Sequence, residues 1–237
     1  MSVESTDPRV EIQDELKVAS NYNSWIADQV RSHVGRRVLD AGCGSGNITR
    51  LLLDRDQVVA VDAWDQFVAL MRSQFGDRPN VAVHQFDLAD PAMVEALAQH
   101  NLDSAMCVNV LEHVEDDAAA LRNFAAIVGP GAPIFLLVPA FMSLYGEHDR
   151  ADHHFRRYTK ESLQRTIEGL PLRIERQYYM NLPGYFAWFL LCRLLKRQLS
   201  SESIGFYDKL IPGIRAVESR VSPPFGQSLV ALMRTTT

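Results

Sequence analysis

Short apolar runs alternate with helical stretches five times between Arg36 and Val138. The runs are Arg36 to Asp40, Gln57 to Asp62, Val81 to Phe86, Leu102 to Asn109 and Pro133 to Val138. Gln57 to Asp62 (QVVAVD) is apolar almost throughout, as a strand buried on both faces must be. Between the runs, helices are expected over Asn47 to Leu53, Gln66 to Phe75, Pro91 to Gln99 and Asp116 to Ile127. Pro91 suits a first helical turn, and Gly129-Pro130-Gly131 ends the last of these helices. Such alternation leaves few architectures open and predicts an α/β fold, a doubly wound, mostly parallel sheet with helices on both faces.

An amphipathic helix, Asn21 to Val34, precedes this core. Beyond it the pattern changes to a helix from Thr159 to Glu168, a strand from Leu172 to Met180 and a last strand from Ser228 to Arg234. Thr159 reads as an N-cap that Ser162 is not expected to complete as a capping box. Thr235-Thr236-Thr237 reads as a frayed tail. The 237 residues fit one domain: a helical cover (1–35), a core sheet (36–180 and 228–235) and a helical insertion (181–227).

Composition excludes several partners. A net charge of −5 gives no case for nucleic acid. No basic segment followed by an apolar run marks a secretory signal. Tyr185 to Leu195 is interrupted by Arg193 and too short to span a bilayer. Cys43, Cys107 and Cys192, widely spaced, read as reduced thiols of a cytoplasmic protein.

The seam after the first strand, "VLDAGCGSG", carries the chemistry. Gly42, Gly44 and Gly46 allow a sharp turn and close approach of backbone to ligand. In a doubly wound sheet this turn lies where strand order reverses and ligands bind. A dinucleotide site wants G-x-G-x-x-G, whereas here the spacing is G-x-G-x-G, and Asp40 precedes it. That carboxylate would repel a pyrophosphate but suits an ammonium group. Asp62 stands where an acid accepts both ribose hydroxyls, and Asp87 where one accepts from an exocyclic amine. The expected ligand is a positively charged nucleoside without phosphates.

These motifs, "VLDAGCGSG", "VVAVDAWDQ", "VHQFDLAD" and "NVLEHVEDD", occur in an order that resembles the class I S-adenosylmethionine-dependent methyltransferases. The resemblance implies a seven-stranded sheet whose last strand is antiparallel. It implies that the turn with Asp40, Gly42, Cys43, Gly44 and Gly46 holds the cofactor's methionine part. It places Asp62 and Ala63 at the ribose, Asp87 and Leu88 at the adenine, and Asn109 in the same pocket. The product would be S-adenosylhomocysteine. "LYGEHD", "HHFRRYT" and "NLPGYFAW" are similar to words of a bacterial small-molecule methyltransferase subgroup. The expected reaction is methyl transfer to a small-molecule acceptor, hydrophobic or aromatic, at oxygen with histidine-assisted deprotonation. The rivals are a cofactor-binding regulatory or scaffold subunit without activity, and a nicotinamide-dependent oxidoreductase.

Four stretches supply acceptor-side candidates. In "NVLEH", Glu112 and His113 stand where related methyltransferases carry ExxEH and bind a divalent cation. Asn109 replaces the first acid; Glu112 and His113 remain, and His148 or His154 could supply another ligand to a divalent cation, but no residue is assigned as a metal ligand and His113 is kept as a catalytic candidate. In "GEHDRADHHFRRY", His154 is the expected general base and His148 its competitor, since imidazole titrates near neutrality. Arg156 or Arg157 would hold an acidic group and Tyr145 would line the acceptor; the alternative is a solvated loop whose charges pair with one another. Tyr22 reaches toward cofactor or acceptor, or packs with Trp25 on a buried helix face. Trp188 lies in Leu182 to Leu199, which could form a lid, a homodimer interface, a membrane-touching patch or plain packing.

Overall fold

The computed structural model describes residues 18–195 and 201–236. In chain order these form α1 (Ser20–Arg31), β1 (Arg37–Ala41), β2 (Gln57–Asp62), α2 (Asp65–Phe75), β3 (Val81–Gln85), α3 (Ala92–Leu97), β4 (Ser104–Val108), α4 (Asp117–Val128) and β5 (Pro133–Pro139). Then follow α5 (Glu147–Ala151), α6 (Lys160–Thr166), β6 (Leu172–Met180), α7 (Leu182–Trp188), α8 (Ser201–Asp208), α9 (Ile211–Glu218) and β7 (Ser228–Thr235). One seven-stranded sheet has the order β3-β2-β1-β4-β5-β7-β6. Only β7 runs antiparallel, to both β5 and β6. The order reverses between β1 and β4, so the turn after β1 faces the crevice where such sheets bind ligands.

Alternation along the strands builds two cores. Leu39, Ala41, Val59 and Val61 point to one face, against α3 and α4 through Met93, Leu97, Leu121 and Phe124. Val38, Val58, Met106 and Phe135 point to the other, where α1 lays down Trp25, Ile26 and Val30. Both faces are covered, which is why β1 and β2 lack polar alternation.

The insertion is tied to the core by carboxylates that cap other helices. Ala19 offers α1 no side-chain cap, and Asp208 at the end of α8 does so from 186 residues away, accepting from the Tyr22 amide at 2.9 Å. Its other oxygen accepts from the Asn21 amide at 3.0 Å. Glu218 of α9 likewise accepts from the amides of Asn181 and Leu182 at the start of α7. Free amides at a helix start require acceptors, and here they come from distant sequence.

Three expectations are corrected. Asn47 to Leu53 is not an α-helix but holds one 3₁₀ turn, Thr49–Leu52, because the Thr49 hydroxyl turns back to donate to Asp40 and holds the segment against β1. Ser162 does complete a capping box: its hydroxyl accepts from the Thr159 amide at 2.8 Å, and the Thr159 hydroxyl accepts from the Ser162 amide. Thr235 is no tail residue, since it ends β7 and its hydroxyl accepts from Ala132 N at 2.8 Å. The aromatic stretch Leu182–Leu199 begins as α7 and continues in a π-helical turn, Phe189–Leu194; Lys196 to Leu199 lie outside the described residues.

Away from the crevice, His84 on β3 and His100 form a pair with 3.0 Å between their Nε2 atoms. Arg37 donates to Gln57 Oε1, so the Gln57 amide nitrogen donates to His100 Nδ1. His100 therefore carries its proton on Nε2 and donates it to His84. Burial, then neighbouring positive groups, holds both imidazoles below their usual range. A folded pKa below the unfolded one means that stability falls as pH drops below about 6.5, where only the unfolded rings protonate. The loss is expected to stay under about 1 kcal/mol because the pair is partly exposed. Urea denaturation at acid and neutral pH checks this: His100→Gln should flatten the dependence, and an unchanged slope would rule the pair out as its source.

Candidate functional site

The glycine turn is fixed by β2. Val61 O accepts from Gly42 N at 2.8 Å and Cys43 N at 3.0 Å. Gly42 has φ +79°, and a Cβ there would lie 2.3 Å from the Val110 methyls, so the position needs glycine on both counts. Asp62, buried at the end of β2, accepts from Gly44 N at 2.9 Å and Trp64 N at 3.1 Å. A carboxylate has acceptor sites beyond these two, so the bonds that shape the turn leave room for hydroxyls. Asp40 lies below the turn, 5% exposed, accepting from the Thr49 hydroxyl at 2.5 Å. Burial, partly offset by that hydroxyl, lifts its carboxyl to about 7. A cationic group over the turn would restore its charge.

The other expected cofactor residues sit around this centre. Asp87 is exposed, two residues past the end of β3, and accepts from Ala89 N at 2.9 Å. Leu88 is buried and its carbonyl accepts from the Asn123 amide of α4. Ala63 is exposed on the rim. Asn109 closes β4 at φ +52°, a left-handed conformation that asparagine tolerates better than most residues. That backbone demand is a physical reason for an amide here. The Cys43 thiol is pushed well up by burial and acts as packing.

The histidine-rich loop folds over the end of β4. Asp149, fully buried, gathers Gly146 N (2.9 Å), His154 Nδ1 (2.9 Å) and Arg157 Nε (2.6 Å). The second ring nitrogen of His154 meets Asp152 at 3.2 Å. Burial alone would lower the His154 pKa, but the two carboxylates outweigh it and raise it to about 9. His154 is thus a cation with both nitrogens engaged, and this arrangement leaves it no nitrogen to serve as a base. His113 stands edge-on to it, ring centroids 4.5 Å apart, and burial holds its pKa down to about 4. His148 packs against Trp188 at 4.9 Å; its buried Nδ1 has no hydrogen-bond partner, and burial lowers its pKa.

The centre of the charged loop, Asp149 with Arg157 and His154, is therefore paired within itself and withdrawn from solvent, while Glu147, Arg150 and His153 stay exposed. Arg157 is buried, its guanidinium between Asp149 and the Trp188 ring (4.8 Å), so it is not free to hold a substrate acid. Arg156 turns away to Asp117 at 2.8 Å and to the Glu115 carbonyl. The Tyr145 hydroxyl donates to the His154 carbonyl, and Trp188 Nε1 to the Leu144 carbonyl. Tyr22 lies apart, its hydroxyl 3.2 Å from Ser228 Oγ at the start of β7 and its ring against Trp25.

Residues 39–136 match the family described as "Methyltransferase domain". Over these residues the chain is similar to methyltransferase domains, and its sheet has the fold of solved methyltransferases. Over 113 residues the chain is 29% identical to a ubiquinone biosynthesis O-methyltransferase of Aeromonas salmonicida, covering 47% of each chain. The enzyme of the same name from Neisseria meningitidis is 31% identical over 129 residues, 51% of this chain and 52% of the other. The chain thus spans about half the length of the curated relatives it matches. Among solved structures, an S-adenosylmethionine-dependent methyltransferase from Archaeoglobus fulgidus superposes with TM-score 0.57 at 19% identity, covering 90% and 94% of the two chains. The [4+2]-cyclase SpnF does so equally well, 0.57 at 15% identity, over 90% and 81%. The fold is shared beyond one reaction, so the chemistry has to be read from the site.

The end of β4 and the histidine loop also bring together a cluster that sequence reading weighed for a metal but left unassigned. Ligand atoms of Glu112, His113 and His154 lie within 4.8 Å of one another. Glu112 is 1% exposed, and its Oε2 is buried without a partner. Neutral His113 is a ready ligand, and Asp149 behind His154 Nδ1 is the kind of outer support that metal-bound histidines have. The donor set fits a divalent cation on condition that His154 gives up its Nε2 proton and leaves Asp152. Sequence reading also missed Thr49, Asp149 and Asp152. The Gly146–Asp149 spacing, an amide and an acid three residues apart at a helix start, was a signal for Asp149.

Proposed function

We propose that the chain is an S-adenosylmethionine-dependent methyltransferase that methylates an oxygen of a small aromatic or hydrophobic acceptor, with His148 removing the proton. The observation that carries this reading is the unpartnered Nδ1 of His148, a neutral imidazole in a loop whose other expected base, His154, has both nitrogens engaged. The names of the relatives, O-methyltransferases, support oxygen. The rings of Phe141, Tyr179, Tyr185 and Phe225, grouped at the carboxyl ends of β5 and β6, support an aromatic acceptor. Phe141 holds φ +61°, a strain that a binding role would explain.

S-adenosylmethionine, when bound, would supply a methyl group on a sulfonium to the acceptor oxygen and leave as the thioether, and His148 would take the hydroxyl proton. The sulfonium is already a good leaving group, so alignment and exclusion of water are the remaining tasks. Asp40 and Asp62 orient the cofactor; Trp188 and Tyr145 close the loop over the acceptor. If a divalent cation is bound, Glu112, His113 and His154 would hold it, and it would polarise the acceptor oxygen.

Transfer of label from methyl-labelled cofactor to a panel of phenols, with and without chelator, tests the reading. His148→Gln is expected to lower kcat about a hundredfold or more while cofactor affinity stays unchanged. Full turnover in that variant would remove His148 from the mechanism. Loss of turnover under chelator, restored by added metal, would make the cation essential. No label in any acceptor, with the cofactor bound, would favour a non-catalytic binding subunit.

A further inference from the structure

The insertion repeats one surface pattern three times. An apolar residue, a cation three positions on and an apolar residue four positions on occur as Leu190-Arg193-Leu194, Phe206-Lys209-Leu210 and Val217-Arg220-Val221. All of these residues are exposed, the apolar ones between 49% and 68%. Positions three and four apart share one side of a helical turn, so each triplet places two hydrophobic side chains beside a positive charge. The first triplet lies on the π-helical turn after α7. The second starts in α8 and the third in α9, where the backbone keeps turning through Leu210 N to Tyr207 O and Val221 N to Val217 O.

The acids of these helices do not offset the cations. Residues 181–227 contain six Lys or Arg and three Asp or Glu, in a protein whose net charge is −5. Asp208 is buried and bound to the amides of α1, and Glu218 is bound to those at the start of α7. Glu202 is the exposed acid of the described insertion. No helix among the described residues is long and apolar enough to cross a membrane.

We infer that the insertion is a docking surface for an anionic lipid bilayer, on which the three triplets seat their apolar side chains among the acyl chains and their cations among the headgroups. Exposed apolar residues interleaved with Lys and Arg are the surface that lies in a bilayer interface. A second copy of the chain fits less well, because an isologous contact would set these cations against themselves. The first triplet adjoins the histidine loop, with Arg193 beside Gly146, while the other two belong to the segments of α8 and α9.

Co-sedimentation of the full chain with vesicles tests it, using phosphatidylcholine alone and phosphatidylcholine mixed with phosphatidylglycerol. The chain is expected to bind the mixed vesicles, to bind the neutral ones weakly, and to be released by high salt. Replacing Arg193, Lys209 and Arg220 together with serine should weaken binding about a hundredfold, at roughly fivefold per cation. Leu194→Glu with Phe206→Glu should abolish it, with cofactor binding retained as the control for folding. Absence of wild-type binding to the mixed vesicles would overturn the inference. So would undiminished binding by the variants. A concentration-dependent dimer, seen by light scattering and broken by the same glutamates, would assign the face to a second copy instead.

Discussion

Asp62→Ala is expected to weaken cofactor binding about a hundredfold and to lower stability by about 1–3 kcal/mol. The two effects have separate origins. The Asp62 carboxylate accepts from Gly44 N and Trp64 N, so its removal leaves the Gly44 amide, in the buried centre of the turn, without an acceptor. That accounts for the stability loss. Hydrogen bonds from ribose hydroxyls to a charged group are worth about 1.5–3 kcal/mol each, and losing them accounts for the affinity. Asp62→Asn separates the two in part: its one amide oxygen can still accept from Gly44 N while its NH2 then faces the Trp64 amide, so stability should return partly while affinity stays low. Asp87→Ala is the comparison on the rim. Asp87 is exposed and its carboxylate accepts from Ala89 N, so its loss should reduce affinity about tenfold with no change in unfolding midpoint. Calorimetric titration and thermal unfolding of the three variants decide the matter. Wild-type affinity in Asp62→Ala would show that the cofactor does not lean on the end of β2.

The core was legible where burial alone sets the pattern. Gln57 to Asp62 is β2 to the residue, because a strand covered on both faces has no polar side to blur its ends. The seven strands with an antiparallel last one followed from resemblance, but the order β3-β2-β1-β4-β5-β7-β6 was not predicted, since nothing in single-strand composition encodes it. The turn at Gly42 was legible because its backbone needs leave few other residues. Features that depend on contacts between distant segments were not legible. The helix expected at Asn47 gave way to a 3₁₀ turn because of one bond from Thr49 to Asp40. Asp208 reads as an ordinary surface acid until α1 is seen to need its cap. Arg156 and Arg157 are equivalent in sequence, yet one leaves the loop for Asp117 and the other is buried behind Trp188. Periodicity cannot separate two neighbours when tertiary packing decides which turns inward.

The largest stability effect is expected from that inward arginine's partner. Asp149→Ala should cost about 3–5 kcal/mol, because it leaves the Arg157 guanidinium buried and uncompensated. Arg157 has a 2% exposed side chain and meets Asp149 at 2.6 Å. The Ala140 carbonyl at 3.4 Å and the Trp188 face offer it neutral partners only. Asp149 also accepts from Gly146 N, so α5 would lose its first fixed amide in the same variant. His154 would keep Asp152 but lose the carboxylate behind Nδ1. Its pKa should then fall from about 9, since the Asp149 bond is the first of the causes that raise it. Arg157→Met alone should be milder, because it removes the buried cation and leaves a carboxylate that still accepts from Gly146 N and His154. The double variant Asp149→Leu with Arg157→Met should recover most of the loss, as replacing a buried pair with apolar groups of similar size often does. Urea denaturation of the wild type, Asp149→Leu, Arg157→Met and the double variant measures the cycle directly. A double variant no more stable than Asp149→Ala would place the energy in the bonds of Asp149 to Gly146 and His154 rather than in its pairing with Arg157. Turnover should then fall with stability, because the loop that carries His148 is held in place by the same carboxylate.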